Sequence, residues 1–112
     1  MARIDRLISV IKREVGDILL KKLPHKNLGI ISILSINLSP NLQDAWIYYS
    51  HLSPNQDRAS IQKSLESANG FIRSELGKAL FTKKIPKLHF VYDERIEKTQ
   101  ELLKKIDALS NS

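Results

Sequence analysis

The sequence has 112 residues, of which 42% are hydrophobic and 27% charged, with a formal net charge of +6. These values are typical of a domain that buries its own core, and the absence of cysteine and of any run of about 18 apolar residues excludes disulfides, thiolate zinc sites and a membrane span. Because the N-terminus is also unlike a secretory signal, we expect residues 1–112 to form one cytoplasmic domain.

The positive charge is concentrated in two blocks. Residues 1–26 carry seven Lys or Arg against three acids, and residues 71–87 carry five against one. If the fold brings the two blocks together, they form a basic face, which is typical of proteins that bind nucleic acid. A solvated surface without a partner is the alternative that charge alone leaves open.

The first predicted element is an amphipathic helix over residues 3–22, whose apolar residues recur with the 3.6-residue period. Residues 29–38 are rich in isoleucine and leucine and predict a strand. A turn containing proline and asparagine follows, and residues 45–52 predict a second strand. We expect these two strands to form a hairpin.

The second half of the sequence predicts a long helix, a third strand and a last helix. Helical spacing of apolar residues persists for about 25 residues from a start at Ser53 or at Asp57, two caps between which the sequence does not decide. Residues 88–92 predict the third strand, and a C-terminal helix is expected at about 94–109 with Asp93 as its cap. This order of elements predicts a single α+β domain.

Gly70 interrupts the predicted long helix, although glycine costs about 1 kcal/mol relative to alanine inside a helix. A straight helix of about 25 residues would overhang a sheet of short strands, and a bend at Gly70 would keep both halves of its apolar face on the sheet. A bend would also expose backbone N–H groups to a phosphate. Close packing is the alternative reason for a glycine here. We expect Gly70 to have a backbone conformation that alanine resists.

Two segments of this region carry a resemblance to a known family. ANGFIRSELGKAL (68–80) and IPKLHFVYDERI (85–96), in that order, resemble the ribosome-binding factor A family, and the resemblance extends over residues 3 to about 103. It implies a type II K-homology-like α+β fold, with a three-stranded sheet packed by helices. In that family a helix kink replaces the usual Gly-x-x-Gly loop, which this sequence lacks. The kink would lie at Ala68, Asn69 and Gly70.

The resemblance implies a non-catalytic assembly factor that binds the immature small ribosomal subunit and its ribosomal RNA. Such a factor assists maturation of the 5′ end of that RNA, is needed most in the cold, and acts as a monomer without a cofactor or metal. Phosphate contacts would position it, while RNA shape would give specificity. The residues expected to contact RNA are Asn69, Gly70, Arg73, Lys78, Lys83, Lys84, Arg3, Arg6 and Arg13.

The sequence departs from the family at several points. Lys83 stands where an arginine is usual, which keeps a phosphate contact but loses the bidentate fork. The segment His25-Lys26-Asn27 replaces a common Asp-Pro-Arg, and the glycine that usually follows the third strand is missing. The sequence also lacks an extended charged tail. These departures affect the expected C-terminal contacts more than the expected fold.

Two other functions remain open at this point. A small ribonuclease would use His51 or His89, but the sequence offers no spaced metal ligands, nucleophile motif or phosphate-binding loop. A K-homology module for free single-stranded RNA is the second, and the missing Gly-x-x-Gly counts against it. Trp46 and Tyr48 are expected on one face of a strand and Tyr49 on the other. We interpret them as packing residues, with base stacking as the alternative.

Overall fold

The computed structural model describes residues 3–23, 31–51, 57–80, 84–95 and 101–106. In chain order its elements are helix α1 (Arg3–Asp17), a π-helical turn (Ile18–Lys22), strands β1 (Ile31–Leu38) and β2 (Asp44–His51), helix α2 (Arg58–Ala79) and strand β3 (Lys87–Tyr92). The predicted order of helices and strands is confirmed for the described part of the chain, and the fold class is α+β.

The three strands form one sheet in the order β1-β2-β3. Strands β1 and β2 are antiparallel, which confirms the predicted hairpin, and their register shifts between Ile33 and Ser35. Strands β2 and β3 are parallel, so the chain must cross over between them, and α2 is that crossover. β3 therefore lies at an edge of the sheet, with one side unpaired within it.

Helix α1 begins as predicted but does not continue as an α-helix to residue 22. Its last turn is π-helical, and the Leu23 amide closes that turn by donating to the Ile18 carbonyl over 3.2 Å. A π turn spaces each bond by five residues instead of four. The apolar stripe predicted for this helix packs as expected, because Ile11, Val15 and Ile18 are all buried.

Helix α2 begins at Asp57, whose side chain accepts a hydrogen bond from the Ala59 amide. This bond identifies Asp57 as the cap of α2, whereas the alternative start at Ser53 lies outside the described residues. The apolar face predicted for α2 is buried against the sheet, at Ile61, Leu65, Ala68, Ile72 and Leu76. Burying each large aliphatic side chain contributes about 1.5–3 kcal/mol, so this face anchors the helix.

Helix α2 continues through Gly70 without a break. The backbone of Gly70 lies outside the left-handed region, and a Cβ added to it would meet no heavy atom within 4 Å. The expectation that alanine would be resisted here is therefore wrong. A second helix N-terminus with exposed N–H groups is likewise not formed, because the helix does not restart at Gly70. Whether the helix axis bends at this residue stays a prediction.

After β3 the chain turns at Asp93, as expected for a cap. Its carboxylate accepts a hydrogen bond from the Arg95 amide at 3.0 Å and others from the Arg95 guanidinium. These bonds hold the pKa of Asp93 below its ordinary value. Of the predicted C-terminal helix, residues 101–106 are helical, while 96–100 and 107–109 lie outside the described residues. Among the described helices, none is long and apolar enough to cross a membrane.

We predict that Gly70→Ala stabilises the protein by about 1 kcal/mol, because an exposed position inside a continuous helix gains helix propensity without a clash. Thermal unfolding followed by circular dichroism should show a rise in melting temperature of about 3–6 °C.

Gly77→Ala in the same helix is the matched control. Its new Cβ would lie 3.3 Å from Cγ1 of Ile85, so crowding should offset part of the propensity gain. A melting temperature for Gly70→Ala below that of the wild type would contradict the assignment of Gly70 as an ordinary helical residue.

Candidate nucleic-acid interface

The carbonyls on the free side of β3 are occupied by side chains of α2. Asn69 Nδ2 donates to the Leu88 carbonyl and Gln62 Nε2 donates to the Phe90 carbonyl, both at 2.8 Å. Unpaired carbonyls on an edge strand invite pairing with another chain. The two amides satisfy these two carbonyls internally, so α2 occupies part of the free edge of β3.

Arg73 continues this row of contacts one helical turn beyond Asn69. Its Nη2 donates to the Ile85 carbonyl at 2.7 Å, and its Nε donates to the Pro86 carbonyl at 3.3 Å. The guanidinium thus holds the segment that leads into β3, a role that the sequence did not indicate. Its side chain is nonetheless exposed, and two carbonyls use only two of its five N–H donors. Arg73 is therefore both a structural residue and a candidate phosphate ligand.

A groove of about 600 Å³ lies beside Arg73, where three parts of the fold meet. They are α1, the turn between β1 and β2, and the region from the end of α2 to the start of β3. Among the described residues that line it, three are cations and none is acidic, although Asp44 is the cross-strand partner of Lys87; this balance favours anions. It is lined by Leu7, Asn41, Leu42, Gln43, Arg73, Leu80, Lys84, Ile85, Pro86 and Lys87.

Leu42, at the rim of this groove, has a backbone φ of 61°, in the left-handed region. This conformation costs a residue with a Cβ about 1–2 kcal/mol, and turns normally place glycine or asparagine there. The turn around it is well fixed: the Leu42 amide donates to the Ser39 carbonyl at 2.9 Å, and Asn41 Oδ1 accepts from the Gln43 amide at 3.1 Å. The Leu42 side chain is still 39% exposed.

The structure brings together only some of the predicted basic residues. Arg73 and Lys84 share the groove, and Arg3 lies one helical turn before Leu7, on the same side of α1. Arg13 instead lines a second groove, between α1 and β1, and pairs with Glu14 at 3.4 Å. Lys83 lies outside the described residues.

Lys78 belongs to a small ion-pair cluster on the surface of α2. Glu75 accepts from Lys78 at 3.1 Å and from Lys22 at 3.4 Å. The hydrogen bond from Lys78, followed by the contacts with Lys22, lowers the pKa of Glu75. Two lysines therefore share one carboxylate, so the cluster has a net positive charge. Both lysine side chains are exposed to solvent.

Of the ten residues that line the groove, only Arg73 and Lys84 were among the predicted contacts. Lys87 belongs to the second basic block of the sequence, and its position at the start of β3 was the signal that could have added it. Gln43 and Leu42 belong to the turn between β1 and β2. A leucine that follows asparagine in a short turn was the feature of the sequence that could have drawn attention to them. Asn69, in contrast, was predicted to contact RNA, but the structure commits its amide nitrogen to Leu88. Its contact with RNA stays a prediction, as does that of Gly70.

The opposite face of the sheet carries the half-buried aromatic residues. Trp46 and His89 are cross-strand partners whose rings stack at 5.4 Å, and His89 Nε2 lies 2.8 Å from Asp44 Oδ1. The hollow on this face is lined partly by Asp93 and Glu94 and by Arg95, which is bonded to Asp93, so its described lining has no net positive charge. It is therefore a poorer candidate for RNA than the groove.

Tyr49 lies on the helix-packed face, as the alternation of β2 predicts. It is fully buried, and its hydroxyl donates to Oε1 of Gln62. Burial raises the pKa of Tyr49 to about 12, so the phenol stays neutral at any physiological pH. His51 packs on this same face, with its ring 5.4 Å from that of Tyr92, whereas His89 lies on the opposite face.

No group of three or more His, Cys, Asp or Glu side chains able to hold a metal ion occurs in the described part of the chain. The site is thus a cationic groove with an apolar floor on a small, basic α+β domain. Such a surface is typical of proteins that bind anionic polymers by charge and shape.

Comparison with known proteins identifies the family. The family model for ribosome-binding factor A matches residues 3–106, and the chain belongs to this family. The ribosome-binding factor A of Coxiella burnetii is 35% identical over 100 residues, which cover 89% of this chain and 83% of that protein.

Solved structures of the same family share the fold. The crystal structure of ribosome-binding factor A from Thermus thermophilus has a TM-score of 0.68 at 16% identity, covering 79% of this chain and 93% of that one. A homology model of the Thermus thermophilus factor has a TM-score of 0.65 at 15% identity, covering 85% of this chain and 97% of that one. That second structure was fitted into an electron cryo-microscopy map of a complex with the 30S subunit.

We predict that Asn69→Asp destabilises the protein by about 1–2 kcal/mol, because it places a carboxylate against the Leu88 carbonyl in place of a donor. Urea unfolding should show a lower midpoint with an unchanged slope.

Ser67→Asp, an exposed change of the same charge two residues away in α2, is the control and should have little effect. Equal stability of the two variants would show that the Asn69 bond does not secure β3.

Proposed function

We propose that this protein is a non-catalytic assembly factor that binds the immature small ribosomal subunit and assists maturation of the 5′ end of its ribosomal RNA. It acts as a monomer in the cytoplasm, without a cofactor, and is needed most in the cold. Membership of the ribosome-binding factor A family carries the proposal. The 30S complex of the Thermus thermophilus factor supports the choice of subunit.

The charge distribution supports contact with RNA phosphates. Arg73, Lys84 and Lys87 are among the described residues that line the groove, none of which is acidic, and Lys78 lies on the exposed surface of α2. Such contacts position a protein on RNA without reading bases, so shape and neighbouring ribosomal surfaces supply the specificity. The further predicted contacts are Lys83, Arg3, Arg6, Arg13, Asn69 and Gly70.

A ribonuclease that uses both strand histidines together is disfavoured by their placement. General acid–base cleavage of a phosphodiester by two histidines requires both to reach the same phosphate. His51 and His89 lie on opposite faces of the sheet, and the cross-strand partner of His89 is five residues before His51, a distance of about 17 Å along β2. His89 is also engaged with Asp44 and stacked on Trp46.

A module for free single-stranded RNA is disfavoured, because two backbone acceptors on the free edge of β3 are already in use. Its carbonyls at Leu88 and Phe90 already accept from α2. Binding to purified subunits in preference to free oligonucleotides is the observation that separates the two functions.

We predict that the protein co-sediments with small ribosomal subunits at low salt and that its affinity falls steeply as salt rises, because each Lys or Arg contact with phosphate releases counterions. The slope of log K against log salt is negative, and Lys84→Gln should reduce its magnitude by about 1.

Lys63→Gln, an exposed change on α2 outside the groove, is the matched control and should leave the slope unchanged. Salt-insensitive binding, or no binding to subunits, would refute the proposal.

We predict that replacing both strand histidines with alanine leaves subunit binding and growth in the cold close to wild type. The measurement is complementation of a strain that lacks its own factor, with circular dichroism to verify folding. Loss of function in a folded double variant would favour the ribonuclease.

A further inference from the structure

The two edges of the sheet differ in how their backbone groups are bonded. On β3, the Leu88 and Phe90 carbonyls accept hydrogen bonds from side chains of α2. On β1, the other edge strand, no residue in the described part of the chain bonds to the backbone groups that point away from β2. An edge strand of eight residues without such protection is a template on which another extended chain can pair.

The hydrogen-bond pattern of the sheet shows which residues of β1 face its free edge. The Tyr49 carbonyl accepts from the Asp93 amide at 2.8 Å, so it points away from β1. Its cross-strand partner Ile33 therefore belongs to a non-hydrogen-bonded pair, and the Ile33 N–H and C=O point to the free edge. Ile31, two residues earlier, has the same orientation, whereas the backbone groups of Ser32 point to β2.

A groove of about 530 Å³ runs along this part of β1, with α1 and its π-helical turn as the opposite wall. Three consecutive strand residues line it, so the groove follows the edge of β1 and not one face of the sheet. The residues of the helical wall recur with the helical period and lie apart from the buried stripe of α1. The walls of this β1 groove include Ile31, Ser32, Ile33, Lys12, Gly16 and Leu20.

Gly16, in the helical wall, leaves room for another backbone. Its own backbone lies outside the left-handed region, and a Cβ added to it would meet no heavy atom within 4 Å. Packing within the described chain therefore does not require glycine here, although glycine weakens a helix relative to alanine. Gly70 has similar space around it, but Gly16 is the one that faces an unpaired strand edge. A chain that pairs with β1 gains close access from the missing side chain.

The charges beside this edge favour an acidic partner. Lys12 is exposed and forms no ion pair within the described residues. Arg13 pairs with Glu14 at 3.4 Å, and Asp17, the acidic residue of the described lining, lies 3.9 Å from Lys21. The surroundings of the β1 groove therefore retain a positive charge at Lys12, which attracts carboxylates.

We propose that the free edge of β1 binds an extended, acidic segment of a partner protein as an added strand. The segment pairs its backbone with Ile31 and Ile33, places a carboxylate near Lys12 and rests an apolar side chain on Leu20, which is 80% exposed. The phosphates of RNA only accept hydrogen bonds, whereas a strand edge offers both donors and acceptors. A second copy of this chain is disfavoured, because each copy carries a charge of +6 and brings the same cations to the edge.

The probe that tests the proposal is a peptide as long as β1, eight residues, in which glutamate alternates with valine and both ends are blocked. In a low-salt NMR titration of the wild-type protein, hydrogen exchange of the Ile31 and Ile33 amides should slow about tenfold at saturation, because both gain an acceptor. The Ser32 amide already faces β2 and should change much less. Unchanged exchange at Ile31 and Ile33 with about 1 mM peptide would refute the added strand.

Gly16→Gln is the substitution that tests the groove, because its side chain fills the space beside the edge and improves helix propensity. We expect a melting temperature equal to or above that of the wild type and an affinity for the acidic peptide about tenfold lower. Gly16→Ala is the matched control, since it gains the same propensity but leaves the groove open, and it should bind like wild type. Wild-type affinity in Gly16→Gln would place the peptide elsewhere and contradict the proposal.

Two altered peptides separate backbone pairing from charge. N-methylation along the centre of the peptide removes its donors and should abolish the slowing, while lysine in place of glutamate should weaken binding about tenfold. Equal binding of either peptide would overturn the proposal.

Other occupants have their own signatures. Slower exchange of the Ile33 amide with an RNA hairpin would assign the edge to RNA. A dimer in sedimentation equilibrium that Gly16→Gln abolishes would assign it to a second copy, and either result would overturn the proposal. None of these measurements uses a ribosomal subunit, so their outcome is independent of the proposed function.

Discussion

Strand β3 lies at the edge of the sheet, where its outward carbonyls need hydrogen-bond donors, and helix α2 supplies them. Asn69 and Gln62 fix where the helix lies along the strand, while its apolar face is buried on the same sheet. The buried apolar face sets the rotation of α2 about its axis, and the hydrogen bonds to β3 set its position along the strand. Arg73 extends the contact to the segment before β3, and that segment forms a wall of the groove. The edge contact therefore positions the candidate site as well as the core.

The lysines and arginines of this protein differ in their bonding partners, and the net charge of +6 does not show these differences. Lys78 is held in a cluster around Glu75, and Arg73 is bonded to main-chain carbonyls. Lys84 and Lys87 are among the residues that line the groove beside Arg73, whose described lining includes no acid, although Asp44 is the cross-strand partner of Lys87. These differences in surroundings mean that the net charge alone does not identify which cations would contact an RNA phosphate.

The two places where local preference and structure disagree have different meanings. Gly70 is a weak helix former inside a continuous helix, yet its backbone is unstrained, so it carries only a cost in helix propensity. Leu42 holds a backbone conformation that disfavours its own side chain, within a well-bonded turn. Residues in strained backbone conformations are often found at functional sites, and Leu42 lies at the rim of a charged groove.

The sequence by itself determined the order of helices and strands and the buried face of α2, and it limited the start of α2 to Ser53 or Asp57, because periodicity and capping are local properties. The family followed from motifs of the same kind. Only the tertiary structure decided that Asn69 and Arg73 bind β3 and its approach. It also decided that Leu42 and Lys87 share a groove with α1. These contacts join residues far apart in the chain, and their geometry is set by how the elements pack, which no local pattern of residues records.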